Sequence, residues 1–359
     1  MTIGQVVKDR ESQLQPQPDR QQLHKNPHQH LSISRIRCGK GAYYRYKNGR
    51  KVEGERVLNR IKALAIPPNW KNVVISKEPK ANIQAIGLDA KGRKQYLYHP
   101  EWHKQQQADK FRRLALFGEK MPEFRGYCRT LVNGEKWTLE RASALVCLLL
   151  DYTGVRIGNS QYSKENNTYG LTTLRRKHVQ EASIEKVLLA YSGKHSKHRT
   201  ITIDDPLLAS LVCECTELQG YSLFRYQLDN GSWCDIHSED VNAFIHEHLG
   251  EDFSCKDFRT WAASRFALQS FPDVDRYLRE GRNRKWPNSL SAHVSKMLGN
   301  TPTVCRQYYI HPKLYSVFDD KTQFEKLLMQ LQQEQNELCD PTERDLSTEK
   351  LLLAIISSE

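Results

Sequence analysis

KVLLAYSGKHSKHRTITID, residues 186–204, is the stretch whose reading decides the fold. Two runs rich in Val, Ile, Thr, Leu and Tyr flank the polar SGKHSKH. Such residues suit a pleated strand, and a glycine before a polar cluster suits a tight turn, so the segment reads as a β-hairpin. The turn sets Lys194 and Lys197 at its tip.

On both sides of the hairpin the period changes from two to that of a helix. Thr138 is a helix N-cap with Glu140 close behind, and Ala142, Leu145, Val146 and Leu149 repeat on one face. NSLSAHVSKMLG (288–299) is a second helix, closed by Gly299. Thr301-Pro302 starts a short helix, because proline pre-sets the first turn. Val304 and Tyr308 then share a packing face, and Tyr309 falls about 100° further round. A short helix is expected from Ser347, and 105–135 reads as a helix and a loop, the loop at GEKMPEFRG.

Residues 31–104 have a different character. LSISRIRCGKGAYYRY alternates and turns at Gly39 and Gly41. VVIS (73–76), NIQAIGLD (82–89) and RKQYLYH (93–99) are further strands, the last two joined by DAKGR as a hairpin turn. GLDAKGRK is no nucleotide loop: Arg93, not Lys and then Ser or Thr, follows its last glycine, and no helix follows its strand. Residues 1–30 are rich in Gln, His and Pro and cannot form a core, so they read as a disordered tail. His24, His28 and His30 are better explained as part of that tail than as metal ligands. The whole is an α+β protein: tail (1–30), small β-rich domain (31–104) and larger, mostly helical domain with a β-hairpin (105–359).

The 359 residues carry a formal net charge of +12 and a pI near 9.2. That balance favours a polyanionic partner over a merely basic soluble protein. No run approaches the roughly 18 apolar residues of a membrane span, and the N-terminus lacks the apolar core of a signal peptide. The nine cysteines are scattered without zinc spacing, as expected of reduced thiols in a cytoplasmic protein. No zinc pattern, G-x-S-x-G elbow or nucleotide loop is present, and no metal or other cofactor is expected.

The chemistry-bearing segments are cationic: TGVRIGN (153–159), GLTTLRRKHV (170–179), SGKHSKHR (192–199) and KDFRTW (256–261). Arg156 and Arg259 sit among apolar or small neighbours, where folding partly buries them. A buried arginine needs an acidic partner, and a salt bridge or a bound phosphate serves either one equally well. Two arginines, a hairpin lysine and a tyrosine suit one reaction. A tyrosine oxygen attacks a phosphodiester, guanidinium groups hold the nonbridging oxygens, and a lysine protonates the leaving hydroxyl.

Those segments together with QAIGLDAKGRKQYLYH and LGNTPTVCRQYYIHP, in this order, resemble the type IB DNA topoisomerases of the small bacterial and poxviral branch. The resemblance runs from about residue 31 to residue 320. It implies relaxation of supercoiled duplex DNA through a 3′-phosphotyrosyl intermediate, without ATP or an obligatory metal. It also implies a β-rich and a helical domain that clamp the duplex, in a protein expected to be monomeric and associated with the nucleoid. Position by position, Arg156 and Arg259 match the two catalytic arginines, Lys194 the general acid, and Tyr309 the nucleophile, leaving Tyr308 to packing. Asn300 stands where poxviral enzymes have histidine; it keeps a donor and excludes proton transfer. Gln95, Tyr96 and Tyr98 match major-groove contacts, although ordinary strand alternation also explains the tyrosines, and Tyr162 is a weaker case of the same kind. The rival readings are a tyrosine recombinase and a non-catalytic basic DNA-binding protein. KDFR, in place of His-x-x-Arg, speaks against the recombinase.

Overall fold

Strand alternation in the first hundred residues folds into one antiparallel sheet. The computed structural model describes residues 30–39, 41–281, 285–338 and 341–358, excepting the side chains of Tyr162 and of residues 341–343. The tail of residues 1–29 lies outside these. The chain divides into two units, 1–109 and 110–359.

In the first unit the sheet order is β2-β1-β3-β4-β5, with β1 Leu31–Cys38, β2 Gly41–Tyr46, β3 Lys71–Ser76, β4 Ile83–Leu88 and β5 Lys94–Tyr98. All neighbouring strands are antiparallel. Inward-facing Ile33, Val73, Ile75 and Ala85 form its core with Val52 and with Ile61. Ile61 lies on a helix that the sequence reading did not foresee, α1 Glu55–Ala63. Arg60 of α1 ties it to the sheet, donating to Gln84 Oε1 at 2.9 Å.

The next helix, α2 Pro100–Val132, runs straight through GEKMPEFRG, where a loop was expected. An internal proline costs a helix about 3 kcal/mol. Against that cost, Phe111, Leu114, Phe117, Met121, Phe124, Cys128 and Val132 bury one continuous helical stripe. The division between the units falls inside α2, after Asp109, and not at 104.

The second unit is mainly helical around a single core. Its elements are α3 Leu139–Thr153, α4 Ser160–Asn166, strands β6 Val179–Ala182, β7 Val187–Ser192 and β8 His198–Ile203, then α5 Pro206–Glu217. A small ribbon of β9 Arg225–Gln227 and β10 Trp233–Asp235 follows. The rest is helical: α6 Ser238–Leu249, α7 Cys255–Gln269, α8 Phe271–Arg279, α9 Trp286–Leu298, α10 Pro302–Tyr308, α11 Lys313–Ser316, α12 Lys321–Glu337 and α13 Pro341–Ser357. The expected hairpin is β7–β8, paired from Val187↔Ile203 to Ser192↔His198, with β6 added on the other side of β7. Thr138 caps α3, accepting from Arg141 N at 3.2 Å, and Gly299 closes α9.

The last helix starts earlier than Ser347. α13 is anchored by a buried ionic cluster: Glu349 accepts from Arg125 of α2, from Arg265 of α7 at 2.9 Å and from Trp261 Nε1 at 3.1 Å. Asp151 of α3 completes it through Arg125, at 2.6 Å. Among the described residues, no helix is long and apolar enough to cross a membrane.

Candidate active site

Arg156 follows the end of α3. Gly154 terminates that helix with φ 61°, and a Cβ there would lie 3.0 Å from both Ala262 of α7 and Leu298 of α9. The helix therefore stops against the two elements that carry the neighbouring site residues. Arg259, on α7, is 4% exposed and turns its guanidinium to the ends of two helices: Nη1 donates to Gly154 O, and Nη2 donates to Leu298 O at 2.6 Å. Nε of Arg259 is buried without a partner among the described residues.

Arg156 is half-buried, and its Nη2 donates to Asn300 Oδ1. That fixes the amide so that Asn300 Nδ2 is the free donor. Nδ2 is buried and makes no well-formed hydrogen bond to a described residue. The Cys305 thiol interacts with Asn300, but sulfur is a weak acceptor.

Neither Arg156 nor Arg259 has a carboxylate in ion-pair range among the described residues. The salt-bridge explanation left open by the sequence is thus not met. Burial, and then the adjacent charge of Arg156, hold the Arg259 guanidinium below its ordinary range. Burial lowers Arg156 as well, with Tyr309 pulling the other way. Cations placed so are poised for an anion that none of the described residues supplies.

Tyr309 departs from its expected position. α10 ends at Tyr308, and Tyr309 is its C-cap at φ −126°, ψ −41°, so the helical wheel no longer applies to it. The buried residue of α10 is Cys305. Tyr309, whose N–H donates to Cys305 O, packs against the core, and Tyr308 is not part of that packing. The Tyr309 ring lies 5.1 Å from the Arg259 guanidinium and 5.1 Å from Lys110 Nζ. Lys110, at the second unit's start, also donates to Tyr308 O. Burial pushes its pKa down to about 8, against the pull of Asp257. Ser264 of α7 donates to Tyr309 O at 3.4 Å and accepts from His311 N at 3.0 Å, so the segment is bolted on both sides.

Lys194 is exposed at the hairpin tip. It lines a small cleft with Arg156, Arg199, Arg259, Tyr169 and Tyr191. The turn holds His195 at φ 63° and Ser196 at φ 56°, a conformation disfavoured in residues with a Cβ. Lys197, not Lys194, reaches the Asn300 carbonyl, at 3.5 Å.

In the first unit, taken by itself, Tyr96 and Tyr98 share a face of β5, with ring centroids 5.9 Å apart, and Tyr98 stacks on Trp102 at 4.4 Å. Gln95 faces the other way by strand alternation and donates to Asp89 Oδ2 at 3.1 Å. Tyr162 falls on α4, its side chain outside the described set.

Two residues of this neighbourhood were not singled out in the sequence. Lys110 sits in ADKFRR, an ordinary charged helical run, and its contact is 198 residues away. Arg199 ends the cationic run SGKHSKHR, but nothing in that run points to a partner on the far turn.

A model of the eukaryotic DNA topoisomerase I catalytic core matches residues 99–338, and one of the bacterial DNA topoisomerase IB N-terminal domain matches residues 41–89. DNA topoisomerase 1B of Acanthamoeba polyphaga mimivirus is 29% identical over 294 residues, 79% of this chain and 85% of the viral protein. DNA topoisomerase 1B of vaccinia virus (strain Copenhagen) is 24% identical over 292 residues, 77% of this chain and 90% of that one. Among solved structures, the XerH site-specific recombinase bound to a palindromic difH substrate aligns with 57% of this chain and 50% of its own, at 17% identity and a TM-score of 0.34.

Proposed function

The chain belongs to the type IB DNA topoisomerases, and from that premise we propose that it relaxes supercoiled duplex DNA with Tyr309 as nucleophile. Tyr309 Oη attacks a phosphodiester; the P–O bond to the 5′ carbon's oxygen breaks, leaving a 3′-phosphotyrosine and a free 5′-hydroxyl. Negative charge gathers on the nonbridging oxygens as the phosphorane forms. Arg156, Arg259 and the free Nδ2 of Asn300 supply the donors for it. Lys194 protonates the leaving oxygen once DNA is held. The free end turns under torque, and religation is the same step run backwards. The phosphotyrosine retains the bond energy, so no nucleotide is consumed and side chains carry the charge stabilisation. In this reading the two units enclose the duplex, a single copy suffices, and Tyr96 and Tyr98 meet the groove.

The observation that carries the proposal is a buried and a half-buried arginine with no carboxylate in ion-pair range among the described residues, Arg259 beside the Tyr309 ring and Arg156 holding Asn300 with its donor free. A basic protein that only binds DNA has no need to bury cations around a tyrosine.

The test is covalent trapping on nicked duplex. Wild-type protein is expected to form a denaturant-resistant adduct, and Tyr309→Phe none, while Tyr308→Phe keeps most of it. An adduct from Tyr309→Phe would overturn the assignment.

A further inference from the structure

We propose that Arg199 is a positioning residue for this reaction: a strut that holds the hairpin carrying Lys194 against the turn carrying Asn300. The proposal rests on the transesterification reading above.

Arg199 is the second residue of the returning strand β8, directly opposite Tyr191 on β7, whose hydroxyl it also engages. Its guanidinium then leaves the sheet. Nη1 donates to Lys296 O at 3.0 Å and Nη2 to Met297 O at 2.6 Å, the carbonyls at the C-terminal end of α9. A planar fork with fixed, separated donors suits two adjacent carbonyls and a phenol, whereas a lysine offers its donors from a single nitrogen.

The path of the side chain is cleared by two glycines. A Cβ on Gly193 would lie 2.9 Å from Arg199 Cγ, and one on Gly299 would lie 2.5 Å from Arg199 Nη1. Gly193 immediately precedes Lys194, and Gly299 immediately precedes Asn300. The arginine thus passes between the backbones that present the leaving-group acid and the phosphate donor.

The two ends of the strut are not equally dependent on it. The turn after α9 keeps other anchors, Arg259 on Leu298 O and Arg156 on Asn300 Oδ1. The exposed hairpin tip has only the long Lys197 contact at 3.5 Å as a second tie to that turn among the hydrogen bonds described. Loss of Arg199 therefore releases Lys194 and leaves Asn300 in place. The defect belongs to leaving-group protonation.

The experiment is single-turnover cleavage of a duplex whose cleavage site has been mapped with wild-type protein. The scissile link carries either oxygen or sulfur at its 5′-bridging position; a sulfur leaving group needs no proton. Arg199→Ala should cleave the oxygen substrate about 10²-fold slower, and the sulfur substrate within about threefold of wild type. Gly193→Ala, which keeps the charge but obstructs the strut, should show the same pattern and carries the test if Arg199→Ala does not fold. Arg199→Lys should stay closer to the alanine variant than to wild type. Lys194→Ala with Arg199→Ala should be no slower on oxygen than Lys194→Ala alone. Equal slowing on both substrates, a wild-type rate for Arg199→Ala, or further slowing of the double variant would each overturn the strut. Absence of any wild-type adduct would instead overturn the proposed function.

Discussion

At the residue scale, the candidate site places charges where no carboxylate among the described residues neutralises them. Arg156 and Arg259 are held by carbonyls and an amide, which orient a guanidinium without cancelling its charge. Lys110 shows the cost. Its pKa, lowered by burial to about 8 from 10.5, means that the unfolded chain binds the extra proton between those values. Stability contributed by this group therefore rises with pH through that window. Replacing it with an uncharged chain of similar length should remove that dependence. Relative to Lys110→Met, wild type should gain roughly 1–3 kcal/mol between pH 7 and pH 10.5, measured by urea unfolding at each pH. A constant difference would mean the ammonium is not buried. Cleavage should still slow in Lys110→Met, since the Tyr309 ring loses one of its two cations.

At the element scale, position comes from how helices end. α3, α9 and α10 all terminate at the site, and each leaves a candidate residue just beyond its last turn: Arg156, Asn300 and Tyr309. Helix α7 runs past those ends and carries Arg259 and Ser264 to them. Helix α13, beyond the matched catalytic core, supports α7 from its other side through Glu349. Removing that carboxylate leaves Arg125 with Asp151, and Arg265 with only the longer contacts to Asp151 and Asp345, in a buried setting. Glu349→Ala should cost about 3–5 kcal/mol of stability, read as a lower urea midpoint, with Glu349→Gln intermediate. A change below about 1 kcal/mol would show α13 to be dispensable.

At the scale of the whole molecule, charge decides the partner and its conditions. A formal net charge of +12 is large for a chain with 42 acidic residues, so phosphate neutralisation should dominate binding. The logarithm of DNA affinity should fall linearly with the logarithm of salt concentration, by about 0.9 for each phosphate contacted. Relaxation of supercoiled plasmid should proceed in EDTA without ATP. An absolute Mg²⁺ requirement for strand cleavage would exclude the mechanism proposed here.

What the sequence determined by itself is local. Alternation around SGKHSKH, the Thr138 cap and the Gly299 stop are set by neighbouring residues, so the hairpin, α3 and α9 were legible. The segments around Arg156, Lys194, Arg259, Asn300 and Tyr309 stood out by charge and by their resemblance to the family, and folding sets Arg156 on Asn300, Arg259 beside the Tyr309 ring and Lys194 on the cleft that Arg156 and Arg259 line. What failed depended on distant packing. Pro122 reads as a breaker, yet the buried stripe from Phe111 to Val132 carries the helix through it. Tyr309 reads as a position on a helical wheel, yet the helix ends one residue before it, and the core takes Tyr309 rather than Tyr308. Whether Arg259 would meet a carboxylate or backbone carbonyls, and that Lys110 and Arg199 would reach its neighbourhood, were decided by tertiary structure alone. The physical reason is that a long cationic side chain takes its partner from whatever folding brings within a few ångströms, and in this chain that partner is remote in sequence.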